Sequence, residues 1–595
     1  MPHPSAVLPA TPVLAALEHH LAGRLDEARR LYVQVLDGEP AHAEALSLLG
    51  VLAQQQGDGE GAVALLRRAV EAAPEPVVYR FALADVLKAA GRLDEARATY
   101  QQGLGQAPGH ADAWFNLGRV FQALHRCREA TTSYARGLAL QPTPPADTWC
   151  DVGVAHMALE DWSGAADCFA QALAVQPGHA VVLNNLGATL KSQGRREEAR
   201  ACFDRALVAD PALGRVPFNI GTLYFDQQDW EQATAWYQRA LAVEPDQVGA
   251  HQNLAAIYLD AGRLEAAQFH RDRVYRRQAV FVEHAPEAAM VVLVLWAAGK
   301  GNVPIDQLLP RRSITRIVVF IEYLDAAQES RLPAYDFVFN AVGDADVTGP
   351  TAAPMAAFLA RCTRPVLNLP EAVARTARDQ AGALLGSIPG LVVPATVRFD
   401  TAALRTELPR TQGLEFPVIV RPGNSHGGSH LARLDSAQDL RDFEPFNAAF
   451  YYATAYVDYR SGDGFFRKYR MVFIDRQPFA YHLAIGERWM VHHATAGMED
   501  HAWKRAEEAA FLADSERALG AAALATLRAI GRRLDLDYAG VDFGLLPDGR
   551  VLLFEANATM LAHPEVPGSL FGYKNPYVRR IYEAFNTLMA RAAAG

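Results

Sequence analysis

The chain of 595 residues has few cysteines, no long hydrophobic run and no excess of basic residues. Its cysteines include no CxxC pair and show no zinc-ligand spacing, which excludes a disulfide framework and a typical structural zinc site. That scarcity favours a reducing compartment, the cytoplasm. The five cysteines are Cys127, Cys150, Cys168, Cys202 and Cys362.

The same scarcity of long apolar runs and of basic residues argues against a membrane and against nucleic acid as partners. The N-terminus has no charged segment followed by an apolar run, so no signal peptide is expected. The longest apolar run, Ala288 to Ala298, is too short to cross a bilayer and is typical of a buried strand. A formal charge of −10 and a pI near 6.0 argue against a general nucleic-acid binder, although a local basic patch remains open. We therefore expect neither a membrane nor a nucleic-acid partner.

The first half of the chain is periodic. Prolines recur with a spacing of 34 residues and one step of 35, at Pro40, Pro74, Pro108, Pro142, Pro177, Pro211 and Pro245. Alanines keep the same register at Ala28, Ala62, Ala96, Ala130, Ala165, Ala199, Ala233 and Ala267. An aromatic residue often follows four positions later, at Tyr32, Tyr100, Tyr134, Phe169, Phe203 and Tyr237. This 34-residue pattern resembles the tetratricopeptide repeat.

The resemblance implies pairs of amphipathic helices that stack into an all-α superhelix. Small residues allow the two helices of a pair to cross closely, the aromatic side chain fills the space beside them, and proline ends the second helix. The eight alanines predict about eight repeats over residues 11–280, after an N-terminal tail of residues 1–10.

A second row of polar residues runs along the first helices of these pairs. Asparagine is a mediocre helix former, so its recurrence at one register needs a reason. The row either makes hydrogen bonds between neighbouring repeats or forms a ladder that binds the backbone of an extended peptide. It resembles the asparagine ladder of O-linked N-acetylglucosamine transferase, and both interpretations stay open. The row comprises Asn116, Asp151, Asn185, Asn219 and Asn253.

After about residue 285 the period stops and short apolar runs alternate with helical segments. This alternation predicts an α/β domain with a parallel sheet. The predicted strands are Ala289–Trp296, Ile317–Ile321 and Phe337–Asn340. A helix from about Asn368 to Ser387 and a strand over Leu391–Val397 are expected to follow.

Two later segments carry candidate chemistry. A β-branched strand ends at Arg421 and leads into a glycine-rich loop, which lets the backbone approach an anion. Further on, Asp548-Gly549 lies between apolar runs and predicts a two-residue hairpin that pairs Leu546 with Val551. That register places Asp542 opposite Glu555, and Asn557 lies on the same face. Such a pair holds a cation such as Mg²⁺, or is a solvated acidic pair at a strand end, or has one carboxylate with a raised pKa.

In this order the segments resemble the ATP-grasp superfamily, which includes D-alanine–D-alanine ligase, glutathione synthetase and ribosomal-protein glutamate ligase. The resemblance implies an α/β pre-ATP-grasp domain over residues 287–400 and an α+β ATP-grasp domain over residues 401–595. It implies ATP and Mg²⁺ as cofactors. Asp542, Glu555 and Asn557 would be the metal ligands.

The resemblance also assigns the nucleotide site. Arg421 stands in place of the usual phosphate-binding lysine, and Lys468 and Arg470 are candidates for stabilising the developing charge. The remaining nucleotide-binding candidates are Ser425, Gly427, Gly428 and Ser429 in the loop, and Ala455, Tyr456, Val457 and Asp458 around adenine.

The function expected from these parts is an ATP-dependent carboxylate–amine ligase that works through an acyl phosphate. The repeat array would recruit a peptide or protein substrate, and a small molecule or amino acid would be the second substrate. The alternative is a repeat scaffold whose ATP-grasp fold binds nucleotide without ligating. The identity of either substrate does not follow from the fold.

Overall fold

The computed structural model describes residues 12–286, 288–423, 430–445, 448–566 and 568–595. The chain divides into two compact units, residues 1–254 and 255–595, and the division falls inside a helix. Within the described ranges, no helix is both long and apolar enough to cross a membrane.

The first unit is built from helices, as the repeat pattern predicts. Its helices form successive antiparallel pairs of 10 to 14 residues per helix. The helices are α1 Pro12–Leu21, α2 Leu25–Gly38, α3 Ala43–Gln55, α4 Gly59–Ala72, α5 Val77–Ala89, α6 Leu93–Gln106, α7 Ala111–Ala123, α8 Cys127–Leu140, α9 Ala146–Ala158, α10 Trp162–Val175, α11 Ala180–Ser192, α12 Arg196–Ala209, α13 Arg215–Asp226 and α14 Trp230–Val243, with α15 Val248–Asp260 crossing the division.

The periodic residues form the contacts inside each pair. The alanines of the 34-residue register are fully buried, as are the aromatic side chains that follow them. In the α7–α8 pair, a Cβ added to Gly118 would lie 2.5 Å from the ring of Tyr134. The helices therefore cross as closely as the pattern of small and aromatic residues requires.

The second unit begins with an α/β layer. Its five-stranded sheet has the order β1-β3-β2-β4-β5, in which β1 is antiparallel to β3 and the other pairs are parallel. The carboxyl ends of β2 and β4 therefore lie at the same edge. The elements are α16 Leu264–Tyr275, β1 Val280–Glu283, β2 Met290–Trp296, β3 Ile314–Phe320, α17 Ala326–Glu329, β4 Phe337–Asn340, α18 Gly349–Leu359 and β5 Val366–Leu367.

Two expected elements in the next segment are interrupted. The helix expected to run to Ser387 is two short helices, α19 Pro370–Ala374 and α20 Ala381–Leu385. Between them the chain directs Arg378 into ion pairs with distant residues. The strand expected over residues 391–397 is likewise divided into β6 Leu391–Val392 and β7 Thr396–Asp400. Pro394 lies in the gap, and proline has no N–H to give to a sheet.

Two further sheets complete the unit. One is four-stranded and antiparallel, in the order β7-β10-β8-β9, and the other has the order β12-β11-β13-β14-β6 with β6 parallel to β14. Their elements are α21 Leu404–Glu407, β8 Val418–Pro422, β9 Ala432–Leu434, α22 Ala437–Asp442, β10 Phe450–Ala455, β11 Phe466–Ile474, β12 Gln477–Gly486, α23 Ala502–Ala513, α24 Ser515–Leu519, α25 Ala521–Leu534, β13 Tyr538–Leu545, β14 Val551–Asn557 and α26 Asn575–Ala594.

The β13–β14 hairpin corrects the predicted register near its turn. Val551 pairs with Leu545 rather than Leu546, because the turn is one residue longer and ends on Gly549, whose φ is +84°. A β-bulge beside Asp542 then shifts the register by one residue. The two changes cancel, so Asp542 still lies opposite Glu555.

Candidate functional site

The hairpin places Asp542 at the centre of the largest sheet, between β11 and β14. Its side chain is 2% exposed and accepts two hydrogen bonds from Arg470, at 2.6 Å from Nε and 2.9 Å from Nη2. Lys468 Nζ lies 2.7 Å from Asp542 Oδ2. Burial alone would raise the pKa of Asp542, but the charges of Lys468 and Arg470 lower it well below its usual range. Asp542 is therefore a carboxylate at neutral pH.

Glu555, which lies on the neighbouring strand β14, has a different set of partners. Arg378 Nη2 lies 2.5 Å from Glu555 Oε1, and Arg421 Nη1 lies 3.7 Å from Oε2. Asn557 donates its side-chain N–H to Glu555 Oε1 at 2.7 Å. The structure thus brings the predicted residues Glu555, Asn557 and Arg421 together with an arginine that the sequence did not single out.

A third group joins the site from the carboxyl edge of the α/β layer. Asp346, which follows β4, accepts a hydrogen bond of 2.5 Å from the Tyr452 hydroxyl, and its Oδ2 lies 3.7 Å from Arg378 Nη1. Burial lowers the pKa of Arg378, but the charges of Glu555, Asp346 and Asp344 outweigh it and raise that pKa. Asp344 and Asp346 follow a parallel strand, the position where α/β folds bind ligands, and that signal was available in the sequence.

The donors at Asp542, Glu555 and Asn557 fit Mg²⁺ in their chemistry, because all three offer oxygen atoms. Their present partners are nevertheless basic side chains, and the part of the chain that the structure describes holds no group of three His, Cys, Asp or Glu residues arranged for a metal ion. An ion bound here would have to replace at least one of these ion pairs. The metal site therefore stays a prediction.

The predicted nucleotide residues are only partly described. Ala455 ends β10 opposite Val418, three residues along the ladder from the pair formed by Arg421 and Tyr452. The N–H of Ala455 donates to Ala395 and that of Tyr456 donates to Pro417. Val457 and Asp458 follow in the connection after β10. The predicted loop residues Ser425, Gly427, Gly428 and Ser429 lie outside the described residues.

The polar row of the first unit mainly connects neighbouring repeats. All five side chains are partly buried. Asn116 donates to Asp85, Asp151 accepts from Arg119, Asn185 donates to the Cys150 sulfur, Asn219 donates to Asn184, and Asn253 donates to the Tyr237 hydroxyl. Four of these bonds span 31 to 35 residues and so link adjacent repeats. The hypothesis of hydrogen bonding between repeats therefore describes the row as it stands.

Comparison with known families agrees with the helical architecture. A tetratricopeptide-repeat family model matches residues 19–86. The model of the C-terminal domain of cilia and flagella-associated protein 70 matches residues 80–289. These matches support tetratricopeptide repeats within about the first 290 residues, the part of the chain that contains α1 to α16. A search of curated proteins found no match to the chain.

Solved structures to which this chain is similar include the following three. YrrB, described as having an unusual peptide-binding site, is 22% identical over 33% of this chain and 98% of its own, with a TM-score of 0.29. PilF of Pseudomonas aeruginosa is 19% identical over 35% and 95%, with a TM-score of 0.31. MamA is 20% identical over 27% and 95%, with a TM-score of 0.27.

Proposed function

We propose that the second unit is an ATP-grasp module that forms an amide bond between a carboxylate and an amine. The observation that carries this proposal is the meeting of Asp542, Glu555 and Asn557 on adjacent strands, surrounded by basic side chains. Carboxylate and amide oxygens suit a metal that binds phosphate, and guanidinium and ammonium groups neutralise phosphate directly. The surrounding basic residues are Lys468, Arg470, Arg378 and Arg421.

The reaction has two steps. The substrate carboxylate oxygen attacks the γ-phosphorus of ATP, ADP leaves, and an acyl phosphate remains; the amine nitrogen then attacks the acyl carbon and inorganic phosphate leaves. Arg421 and Arg470 stabilise the charge that develops on the transferred phosphoryl group. Asp542, Glu555 and Asn557 would hold Mg²⁺, which would supply further neutralisation of that charge.

The tetratricopeptide array recruits the peptide or protein that carries one of the reacting groups. A free amino acid does not need a binding surface as long as the array, whereas an extended chain does. The polar row already makes hydrogen bonds between repeats. Its five side chains are only partly buried, so the remaining hydrogen-bonding capacity of these side chains contributes to peptide binding. If residues 261–595 alone, which retain α16 and every strand of the second unit, modified the same substrate as fast as the full chain, this coupling would be wrong.

The test measures ADP and phosphate release by the full chain with ATP, Mg²⁺ and a pool of peptides and amino acids. The wild type is compared with Asp542→Ala/Glu555→Ala, and with Asp548→Ala as a matched control at the exposed hairpin turn. Release that depends on the pool, persists in the control and disappears in the double variant supports the ligase. Equal release by wild type and double variant refutes it.

One observation favours a second candidate, a repeat scaffold whose second unit binds nucleotide without turnover. Asp542 and Glu555 are already neutralised by arginine and lysine side chains of the same chain. A site that is complete in this way needs no metal ion. Nucleotide binding by the wild type without any release of ADP, even with substrates present, would favour this candidate.

A further inference from the structure

The site continues across the sheet as a row of directly opposed residues on neighbouring strands. His482 on β12 lies directly opposite Arg470 on β11, Arg470 lies opposite Asp542 on β13, and Asp542 lies opposite Glu555. Directly opposed residues of antiparallel strands project from the same face. With neighbouring strands about 4.8 Å apart, His482 stands roughly 10 Å from Asp542, beyond Arg470. It is therefore the end member of the row that contains the proposed metal ligands.

A buried carboxylate fixes the orientation of this histidine. His482 Nδ1 hydrogen-bonds Glu508 Oε1, and Glu508 is fully buried on α23. The same carboxylate accepts a bond of 3.1 Å from the Leu483 N–H and one of 2.6 Å from the Tyr573 hydroxyl. Two acceptor oxygens are thereby engaged by three donors, so the tautomer of His482 that carries its proton on Nδ1 is favoured.

The other ring nitrogen of His482 faces no such acceptor or donor among the residues that the structure describes. Within those residues, Nε2 of His482 is buried and has no hydrogen-bond partner, and the same is true of Nε2 of His493, whose ring centroid lies 4.4 Å from that of His482. A buried polar atom without a partner is rare and often marks a catalytic group. In this tautomer, Nε2 carries the lone pair that can accept a proton.

The charged groups around His482 and His493 distinguish the two histidines as possible proton acceptors. Burial lowers the pKa of His482, opposed by Glu508 and aided by Lys574 and Arg470, so the ring is neutral at neutral pH. Burial, with His482 and Lys574, lowers the pKa of His493 to about 4. Glu508 and Glu565 raise the pKa of His493 only through their charge, whereas His482 is hydrogen-bonded to the Glu508 carboxylate, which stabilises the imidazolium that forms on protonation. The other titratable groups that face the pair are Tyr481, Tyr573 and Glu565.

We propose that His482, oriented by Glu508, is the general base for the second step of the reaction, an assignment that rests on the proposed ligase function. The amine nitrogen forms its bond to the acyl carbon and the carbon–oxygen bond to phosphate breaks. The surplus proton on that nitrogen passes to Nε2 of His482 and leaves later to water. The first step transfers a phosphoryl group to a carboxylate and requires no base.

Hydroxylamine separates the two steps, because it is a neutral nucleophile near pH 7 and captures an acyl phosphate without a base. The full-length wild type, His482→Gln and the exposed control His501→Gln are incubated with ATP, Mg²⁺ and a pool of the twenty amino acids and short peptides. ADP and hydroxamate are measured with hydroxylamine, and amide product is measured without it. We expect His482→Gln to retain hydroxamate formation and to lose amide formation about 100-fold or more.

The outcomes distinguish this assignment from the function on which it rests. No ADP release by the wild type overturns both. Equal amide formation by wild type and His482→Gln overturns the base alone, as does loss of hydroxamate formation in a variant that still binds ATP. A second variant, Glu508→Gln, keeps a side chain of the same size but withdraws the charge that stabilises the imidazolium. It should lower amide formation and change its pH profile while hydroxamate formation persists; an unchanged profile contradicts the positioning role of Glu508.

Discussion

Replacing Asp542 by asparagine tests the central ion pairs directly. Removing one member of a buried ion pair typically costs about 3–5 kcal/mol, because the other charge is left uncompensated. Two features reduce that cost here: asparagine keeps an oxygen that accepts from Arg470, and the side chains of Arg470 and Lys468 are 28% and 27% exposed. We therefore expect Asp542→Asn to lower local stability by about 2 kcal/mol.

Hydrogen exchange is the suitable assay, because a chain with two compact units need not unfold in one transition. Peptides that cover β11 and β13 should exchange faster in Asp542→Asn, while the helices of the first unit should be unchanged. Asp548→Asn is the matched control, since Asp548 is 52% exposed at the hairpin turn and pairs with nearby Arg550. That control should exchange like the wild type.

Adding Mg²⁺ and ATP sharpens the same experiment. A ligand at about one hundred times its dissociation constant stabilises the state it binds by about 2.7 kcal/mol. The wild type should gain protection in β13 and β14, and Asp542→Asn should gain much less. A variant that exchanges like the wild type without ligand, and gains the same protection with it, would refute both the ion-pair energetics and the metal assignment.

Three other predictions follow from single contacts. Gly118→Ala should destabilise the repeat array by about 1–3 kcal/mol through overpacking, whereas Gly105→Ala, with nothing within 4 Å of its added Cβ, should not; thermal melting of both variants checks this. Asn219→Ala should cost about 1–2 kcal/mol by leaving the buried Asn184 oxygen without its donor, and urea unfolding should show that loss in the absence of any peptide. Burial alone would raise the pKa of Glu508, but hydrogen bonds from His482 and Tyr573 and the charge of Lys574 lower that pKa to about 2, so the stability that Glu508 contributes is present above its ordinary pKa of 4.5 and is lost as the pH falls to about 2. Acid melting of Glu508→Gln should show a smaller loss over that interval.

Local pattern predicted most of the architecture. The 34-residue register determines helix pairs because each repeat contacts mainly its neighbours, so the information is contained within short segments. The sheet strands near Met290–Trp296 and Phe337–Asn340 were also predicted from their apolar runs. The interruption at Pro394 was missed although its cause, a residue without an N–H, is visible in the sequence.

The opposition of Asp542 and Glu555 was predicted by a partly wrong route. A two-residue turn on Asp548-Gly549 gives that pairing only without a bulge, and the chain instead combines a longer turn with a bulge at Asp542. Side-chain alternation has a period of two, so a single slip would have turned Glu555 to the other face. The bulge restores the face, so the two carboxylates lie opposite each other although the turn is one residue longer than predicted.

The partners of those carboxylates could not be predicted from local pattern. Arg378 is 177 residues from Glu555 along the chain and lies where a continuous helix was expected. Asp346 joins the site through Tyr452, across 106 residues and from a different sheet. Contacts of this separation depend on how three sheets meet, and a single sequence carries no direct signal of that arrangement.

The balance of charge around the two carboxylates relates the two candidate functions. Among the described residues, four carboxylates (Asp344, Asp346, Asp542 and Glu555) share the site with four basic side chains (Arg378, Arg421, Lys468 and Arg470). The cluster is therefore close to neutral without any ligand. Under the proposed function, Mg²⁺ with ATP would add both a cation and an anion, so the carboxylates could turn to the metal and the arginines to phosphate without leaving a charge unpaired. A ligase needs ion pairs that can exchange their partners for Mg²⁺ and phosphate, whereas a scaffold needs the ion pairs within the protein to remain formed.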